Sequence, residues 1–160
     1  MARFHYSMQS ILDIKLKMET QAKQDFSAAR AALDREEDFL RQLIDRKKGY
    51  EVRAAQLLAG TLDVQKIEEN KAAILSMEGF IRDQRERVKE AEKRLEQARM
   101  RLTEVMQERK THENLKEKAF DQFLAEEKRQ EGKEVDELTS YVYGQRRSAQ
   151  NRESKSVSAG

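Results

Sequence analysis

Six apolar residues recur at intervals of seven in the second half of the chain, and this repeat restricts the fold more than any other feature. The residues are Ile67, Ile74, Ile81, Val88, Leu95 and Leu102. The positions three residues further on are Asn70, Met77, Gln84, Ala91, Ala98 and Val105. Six consecutive heptads with charged flanks are typical of a coiled coil, in which one stripe of a helix packs against a partner helix. We therefore predict a long second helix, from about residue 64 to about residue 140.

A less regular apolar stripe runs through the first half. Its members are Ile11, Met18, Ala22, Phe26, Ala29, Leu33, Leu40, Leu43, Tyr50 and Leu57. Glu36 and Lys47 interrupt the stripe, and Gly49 lies within it. A glycine inside a helix costs about 1 kcal/mol relative to alanine, which the rest of the stripe can tolerate. We predict a first helix from about residue 4 to about residue 58.

The segment "AGTLD", residues 59–63, separates the two helices. Gly60 suits the left-handed conformation that ends a helix, and Asp63 suits the N-cap of the next one. Such a short connection makes antiparallel neighbours, so we predict a hairpin in which residue k faces about residue 122 minus k. Leu40 then lies opposite Ile81, and Leu57 opposite Ile67. The alternative is a dimer of straight helical rods.

Composition excludes several classes of protein. The 160 residues are 39% charged with a net charge of +2, and they include no Pro, Trp or Cys. The apolar content is too small for a compact globule, and the balanced charge disfavours a dedicated nucleic-acid binder. The absence of cysteine excludes disulfides and thiolate zinc sites. Neither a secretory signal nor a membrane span is recognisable, so we expect a cytoplasmic protein that is a monomeric hairpin when free.

Apolar residues continue beyond the expected end of the paired region. Phe120, Phe123 and Leu124 form one cluster, and Val135, Leu138 and Val142 form another. Apolar faces without an internal partner indicate a binding surface. Alternatively, the N-terminal Phe4, Tyr6 and Met8 cover the first cluster. Nothing in the sequence covers the second.

The predicted fold is therefore all-α: a long antiparallel two-helix coiled coil with a helical overhang and a disordered C-terminal tail. The hairpin domain spans residues 1–143, with the turn at about 59–63. Residues 144–160, "GQRRSAQNRESKSVSAG", are polar and Ser-rich, and we predict that they are disordered.

No constellation of catalytic residues is apparent. The sequence contains no phosphate-binding loop, dinucleotide fingerprint or catalytic triad pattern. The two histidines, His5 and His112, fall near the open end of the hairpin, and His112 occupies a seam position. A two-helix hairpin also lacks a pocket that would desolvate a catalytic acid. We predict that the protein is not an enzyme and binds neither a cofactor nor a metal.

Two terminal segments resemble the flagellar export protein FliJ family. The first is "FHYSMQSILDIKLKMETQAKQDF", residues 4–26, with an aromatic–x–aromatic start and an apolar–Gln–x–x–Leu–Asp step. The second is "ERKTHENLKEKAFDQFLAEEKRQEGKEVDEL", residues 108–138, which ends in an apolar–Asp–Glu–apolar step. The resemblance covers about residues 3 to 140.

The resemblance implies an antiparallel coiled coil similar to the central stalk of rotary ATPases. Its partners would be the hexameric flagellar export ATPase, whose assembly and activity it promotes, the membrane export gate protein and export chaperones. It would act at the inner face of the cell membrane at the flagellar base, held there through its partners. The matching gate-contact positions are Ala73, Met77, Phe80 and Gln84. The candidate ATPase-binding residues are Gln9, Asp13, Phe120, Phe123, Glu131, Asp136 and Glu137.

Three other functions compete with this interpretation. The same fold serves an equivalent stalk or chaperone of a virulence type III secretion system. A purely structural coiled-coil spacer is the second, although the uncovered apolar clusters argue against it. Nucleic-acid binding is the third, and the balanced charge argues against that.

Overall fold

Two long helices form almost the whole chain in the computed structural model, which describes residues 2–160. Helix α1 spans Gln9–Leu58 and helix α2 spans Val64–Ser158, and residues 2–160 contain no strand. The predicted all-α hairpin of two helices packed against each other is confirmed. By its contacts the chain divides into two units. We call Asp13–Arg109 the seam unit, and Met1–Leu12 with Lys110–Gly160 the terminal unit.

The turn between the helices has the predicted chemistry. Gly60 has a φ of 106°, a left-handed conformation that ends α1 and that residues with a Cβ rarely adopt. Asp63 caps α2, because its carboxylate accepts a hydrogen bond of 3.3 Å from the amide of Lys66. The Asp63 carbonyl then accepts from the amide of Ile67 at 3.1 Å. The chain reverses direction within this short segment, as the Gly and Asp positions predicted.

Apolar side chains from both helices form the core of the seam unit. Leu43, Met77 and Ile81 are buried against one another, and Leu40, Ile44 and Tyr50 pack around them. Leu40, which was predicted to lie opposite Ile81, thus packs against the cluster that contains Ile81. Further buried positions of the seam unit are Ala22, Leu33, Ala91 and Val105. A continuous thin core of this kind is what the two apolar stripes specify.

Buried polar residues fix the register of the seam. The Asn70 side-chain amide donates to the Tyr50 carbonyl at 3.0 Å. The Gln84 amide donates to the Glu36 carbonyl at 3.0 Å and also to the Glu36 carboxylate. Residue numbers fall on α1 as they rise on α2, so the helices are antiparallel. The residue pairs that these bonds join lie close to the predicted alignment, in which residue k faces about residue 122 minus k.

The start of α1 differs from the prediction. Residues 2–6 are not helical, and α1 begins at Gln9 rather than near residue 4. The reason lies in the aromatic side chains of this segment, because Phe4 packs on Phe120 and Phe123. The amide of Gln9 donates to the Tyr6 carbonyl at 3.1 Å, and this bond begins the first helical turn.

The end of α2 corrects the prediction of a disordered tail. The helix continues past residue 140 to Ser158, so residues 144–158 are helical. About half of this stretch consists of Gln, Arg, Ala, Glu and Lys, which favour helix, and no proline interrupts it. The hydroxyl groups of Ser154, Ser156 and Ser158 donate to carbonyls three residues earlier. All side chains from residue 128 onward are exposed, so local bonding alone holds this segment helical.

Candidate partner-binding surfaces

The four gate-contact candidates occupy different environments in the seam unit. Met77 is 7% exposed and Gln84 only 2% exposed, so both belong to the folded seam. Ala73 is half-buried, whereas the Phe80 side chain is 54% exposed. Met77 and Gln84 therefore offer little surface to a partner, while Phe80 is accessible to one.

All four candidates nevertheless line two grooves between α1 and α2. We call the first the proximal groove; it is lined by Arg46, Gly49, Tyr50, Arg53, Leu57, Lys66, Glu69, Asn70 and Ala73. We call the second the aromatic groove; it is lined by Phe39, Leu43, Arg46, Met77, Phe80, Asp83, Gln84 and Arg87. Arg46 belongs to both. The structure thus brings the four α2 candidates together with α1 residues that sequence reasoning missed.

Ion pairs join α1 to α2 at other positions along the seam. Lys47, which interrupts the apolar stripe of α1, reaches Glu78 across the seam at 3.5 Å and Glu51 on its own helix at 3.7 Å. Lys15 and Glu108 form a second cross-seam pair at 2.9 Å. These pairs connect α1 and α2 with opposite charges, an arrangement that favours one orientation of the helices.

A partly buried ion cluster lies at the end of the seam unit. The Glu19 carboxylate is buried and pairs with Arg109 on α2 and with Lys23 on α1, the latter at 3.4 Å. The sequence analysis did not identify this cluster. Removing Glu19 would leave two cations without their shared anion, so the cluster helps to specify the seam.

Other ion pairs lie on solvated helix faces. Arg99 donates to Glu96 one turn earlier at 2.9 Å. This hydrogen bond lowers the pKa of the Glu96 carboxyl and raises that of the Arg99 guanidinium. Both groups are fully exposed, so the pair is a surface feature and not a reactive site.

Three aromatic rings form a cluster in the terminal unit. The Phe4 ring centroid lies 5.1 Å from that of Phe120 in an edge-to-face arrangement, and 5.4 Å from that of Phe123. Phe120 and Phe123 are themselves 6.4 Å apart. The alternative that N-terminal residues cover this cluster is confirmed for Phe4. Phe120 remains 41% exposed, so the cluster is only partly covered.

The second apolar cluster of the terminal unit has no cover within residues 2–160. Val135, Leu138 and Val142 are all exposed, as are the neighbouring Tyr141 and Tyr143. The acidic candidates Glu131, Asp136 and Glu137 are exposed on the same stretch of α2. This stretch combines apolar and acidic side chains on a helix that makes no tertiary core, so it is accessible to a partner.

The two remaining candidates lie at the start of α1. Gln9 is half-buried and belongs to the terminal unit, whereas Asp13 is exposed and belongs to the seam unit. Each of them interacts with another residue of the chain.

The chemistry of a metal or membrane site is not found in the described part of the chain. Residues 2–160 contain no group of three or more His, Cys, Asp or Glu side chains able to hold a metal ion. Within the same residues, neither helix has a stretch long and apolar enough to cross a bilayer. Binding through exposed side chains and grooves is what the arrangement offers.

Comparison with known proteins decides the family. The profile described as "Flagellar FliJ protein" matches residues 4–148. The chain belongs to this flagellar FliJ family. The matched range includes both grooves, the aromatic cluster of the terminal unit and Val135, Leu138 and Val142. No curated protein matches the chain.

A solved structure supports the same assignment within this family. A candidate YscO homolog, CT670, from Chlamydia trachomatis is similar with a TM-score of 0.72 and 25% sequence identity. The match covers 88% of this chain and 96% of that one. The fold is therefore shared over nearly the whole of both chains. The FliJ family assignment places the protein in flagellar protein export, a type III secretion process.

Proposed function

We propose that this protein is a stalk of the flagellar export apparatus that binds the hexameric export ATPase and promotes its assembly and activity. It also contacts the membrane export gate and the export chaperones, and these partners hold it at the inner face of the membrane. The family match over residues 4–148 carries the proposal. Its role is to bind and regulate, with the chemistry of ATP hydrolysis supplied by the ATPase.

The terminal unit supplies the ATPase contact in this proposal. Val135, Leu138 and Val142 are exposed, and burying them in a complex would remove apolar surface from water. The adjacent Asp136 and Glu137 would steer the helix toward a ring lined with basic side chains. The partly exposed Phe120 adds an aromatic contact of the kind enriched at interfaces.

The seam unit supplies the gate contact. Phe80 is the accessible member of the four gate candidates, and Ala73 lies in the adjoining proximal groove. Met77 and Gln84 contribute indirectly, because they form the floor on which a partner side chain would rest in the aromatic groove.

The test is the ATP hydrolysis rate of the export ATPase of the same bacterium, with and without this protein. We expect stimulation by the wild-type chain. The triple variant Val135→Ser, Leu138→Ser, Val142→Ser should stimulate at least about tenfold less at equal concentration, since it removes the apolar contact. Val157→Ser is the matched control, because Val157 is exposed on the same helix outside the cluster.

Each result has a definite meaning for the proposal. No stimulation by the wild-type chain, with no change in ring assembly, would exclude the ATPase role. Stimulation that the triple variant retains in full would move the contact away from this cluster. A deletion strain separates the flagellar system from a virulence secretion system, because loss of motility with intact virulence secretion is expected only for the former.

A further inference from the structure

The exposed part of α2, from residue 128 to residue 158, carries its charges in two blocks of opposite sign. Residues 131–137, the acidic block, include four acids and one lysine, so their net charge is −3. Residues 146–155, the basic block, include four cations and one glutamate, so their net charge is +3. The eight residues between the blocks, 138–145, carry no charge, and we call them the neutral centre.

This separation of charge does not stabilise the helix that carries it. Among residues 2–160, no ion pair involves a side chain of either block. Three of the acids, Glu131, Glu134 and Glu137, follow one another at intervals of three residues. Like charges at this spacing are neighbours on the helix surface and weaken the helix. A partner with the opposite order of charges would relieve the repulsion in both blocks.

An apolar stripe runs through the same part of α2. Val135, Leu138, Val142 and Ala149 are separated by three, four and seven residues, a spacing that places them on one face of the helix. All four side chains are exposed. In the neutral centre, the side-chain amide of Gln145 donates to the hydroxyl of Tyr141 at 2.7 Å, so these two polar groups already have a partner when the face is covered. The stripe has the pattern of one strand of a two-stranded coiled coil.

We propose that this part of α2 pairs with the same part of a second copy of the chain, with the two helices antiparallel. The midpoint of the neutral centre lies between residues 141 and 142, so residue k of one copy lies opposite about residue 283 minus k of the other. The acidic block then faces the basic block at both ends of the pair, and the two neutral centres face each other. Each copy uses the same surface, so the pair is closed.

The two blocks together favour a second copy over other partners. An anionic bilayer or a nucleic acid would attract the basic block, but it would be repelled by the acidic block about 25 Å away on the same helix. A surface lined with basic side chains would attract only the acidic block. A parallel second copy would place like charges opposite each other. An antiparallel second copy is complementary to both blocks at once.

The pairing surface is small, so we expect a reversible dimer. Residues 131–155 extend over about 36 Å of helix. Interfaces at the low end of the size range are weak, and we expect a dissociation constant on the order of 10–100 μM. At a few micromolar the chain is then mostly a monomeric hairpin. The dimer covers Val135, Leu138 and Val142, so it would compete with the ATPase contact proposed above.

Sedimentation equilibrium of the full-length chain at low ionic strength, from about 5 to about 500 μM, tests the pairing. The average mass should rise from 18.7 kDa toward twice that value. The variants Glu131→Lys, Glu134→Lys and Arg146→Glu, Arg152→Glu should each dimerise at least about tenfold more weakly, because each gives the facing blocks the same sign. An equimolar mixture of the two variants should dimerise more strongly than either alone, because the reversed acidic block meets the reversed basic block.

The matched control for the charge variants is Arg35→Glu, Lys48→Glu. It makes the same change in charge as Arg146→Glu, Arg152→Glu, but on exposed side chains of α1. Its dissociation constant should stay within about twofold of wild type. Circular dichroism checks that each variant keeps its helix content.

Apolar variants test the stripe. The triple variant Val135→Ser, Leu138→Ser, Val142→Ser should stay monomeric over the same range of concentration, because it removes the apolar contact between the copies. Val157→Ser should dimerise as the wild-type chain does, since Val157 is exposed on the same helix outside the two blocks.

The orientation of the pair can be tested by cross-linking, because the chain has no cysteine of its own. Val135→Cys and Ala149→Cys, mixed and oxidised, should form a disulfide between residue 135 of one copy and residue 149 of the other. Each variant alone should cross-link far less. The reverse result would show a parallel pair and overturn the proposed arrangement.

The other outcomes are equally definite. A mass that stays at 18.7 kDa at every concentration would overturn the pairing, as would a mixture of the two charge variants that dimerises no better than either alone. Growth beyond the dimer would replace the closed pair with a staggered, head-to-tail assembly. A wild-type chain that stays monomeric but binds anionic vesicles through Arg146 and Arg152 would assign the basic block to a bilayer. None of these measurements contains the ATPase, so failure of the pairing and failure of the proposed function are seen separately.

Discussion

Helix α2 has one stretch that is packed into a core and another that has no core at all. Its buried residues run from Asn70 to Val105, within the seam unit. From residue 128 to residue 158 every side chain is exposed, although Val135, Leu138 and Val142 are apolar there. The same secondary structure is thus maintained in two ways. Tertiary packing stabilises the first stretch, whereas helix propensity and local hydrogen bonds alone hold the second.

The difference separates side chains that the fold requires from exposed apolar side chains that the fold does not require. A core residue loses stability when it is truncated, so its identity is tied to the fold. An exposed apolar residue on an isolated helix stabilises nothing within the chain, and a partner is the simplest reason for it. Substitutions in the packed stretch should therefore lower stability, whereas substitutions in the exposed stretch should weaken binding and leave stability unchanged.

The largest effect on stability is expected from a core truncation. Leu43→Ala removes a buried side chain from the cluster with Met77 and Ile81, and it should lower the free energy of unfolding by about 2–4 kcal/mol. Leu138→Ala, the matched change in the exposed stretch, should lower it by less than about 0.5 kcal/mol. Urea unfolding followed by circular dichroism measures both. Equal losses for the two variants would show that the exposed stretch has a core after all.

A polar truncation in the seam should have a smaller effect. Gln84→Ala leaves the Glu36 carbonyl and carboxylate without their donor, at a cost of about 1–3 kcal/mol in the free energy of unfolding. Gln42→Ala, an exposed glutamine on α1, is the control and should be nearly neutral. The same urea titration compares them. A neutral Gln84→Ala would mean that the buried amide does not hold the register.

Much of the seam was predictable from the sequence because it depends on periodicity and local turn chemistry. The heptad repeat that includes Ile81 predicts a long helix. Gly60 and Asp63 predict a tight turn before it, and a tight turn makes the two helices antiparallel. None of these predictions requires knowledge of the side-chain contacts. The exact alignment of the two helices was less predictable, since a pattern of apolar residues is satisfied by neighbouring alignments. The bond from Gln84 to Glu36, which pairs a seam amide with a residue that interrupts the stripe, selects among them.

The ends of the helices and half of the candidate site were less predictable. The tail was expected to be disordered because it has no apolar stripe, but helix propensity alone extends α2 to Ser158. The α1 lining of the aromatic groove was missed because Phe39 and Arg46 look like ordinary surface residues in sequence. Their shared groove with Phe80 exists only once the two helices are paired.

Glycine substitutions should distinguish the turn from the helices. Gly60→Ala forces a Cβ into a left-handed conformation and should destabilise the hairpin by about 1 kcal/mol. Gly49→Ala should have the opposite sign, a gain of up to about 1 kcal/mol, because Gly49 is helical and an added Cβ meets nothing within 4 Å. Unfolding midpoints of the two variants give the comparison. A stabilising Gly60→Ala would contradict the turn geometry.

The smallest effect on overall stability is expected in the exposed stretch of α2. At Gly144 an added Cβ meets nothing within 4 Å, so Gly144→Ala should raise local helix stability by about 0.5–1 kcal/mol. Amide hydrogen exchange of residues 141–148 should slow by a few-fold, while the urea midpoint of the seam stays unchanged, because the two stretches unfold independently. Gly49→Ala serves as the control that shifts the seam midpoint instead. A Gly144→Ala variant that raised the seam midpoint would show that the exposed helix and the packed core unfold together. The exposed stretch of α2 would then not be a helix that forms and unfolds independently of the seam, as we expect of a segment that serves for binding.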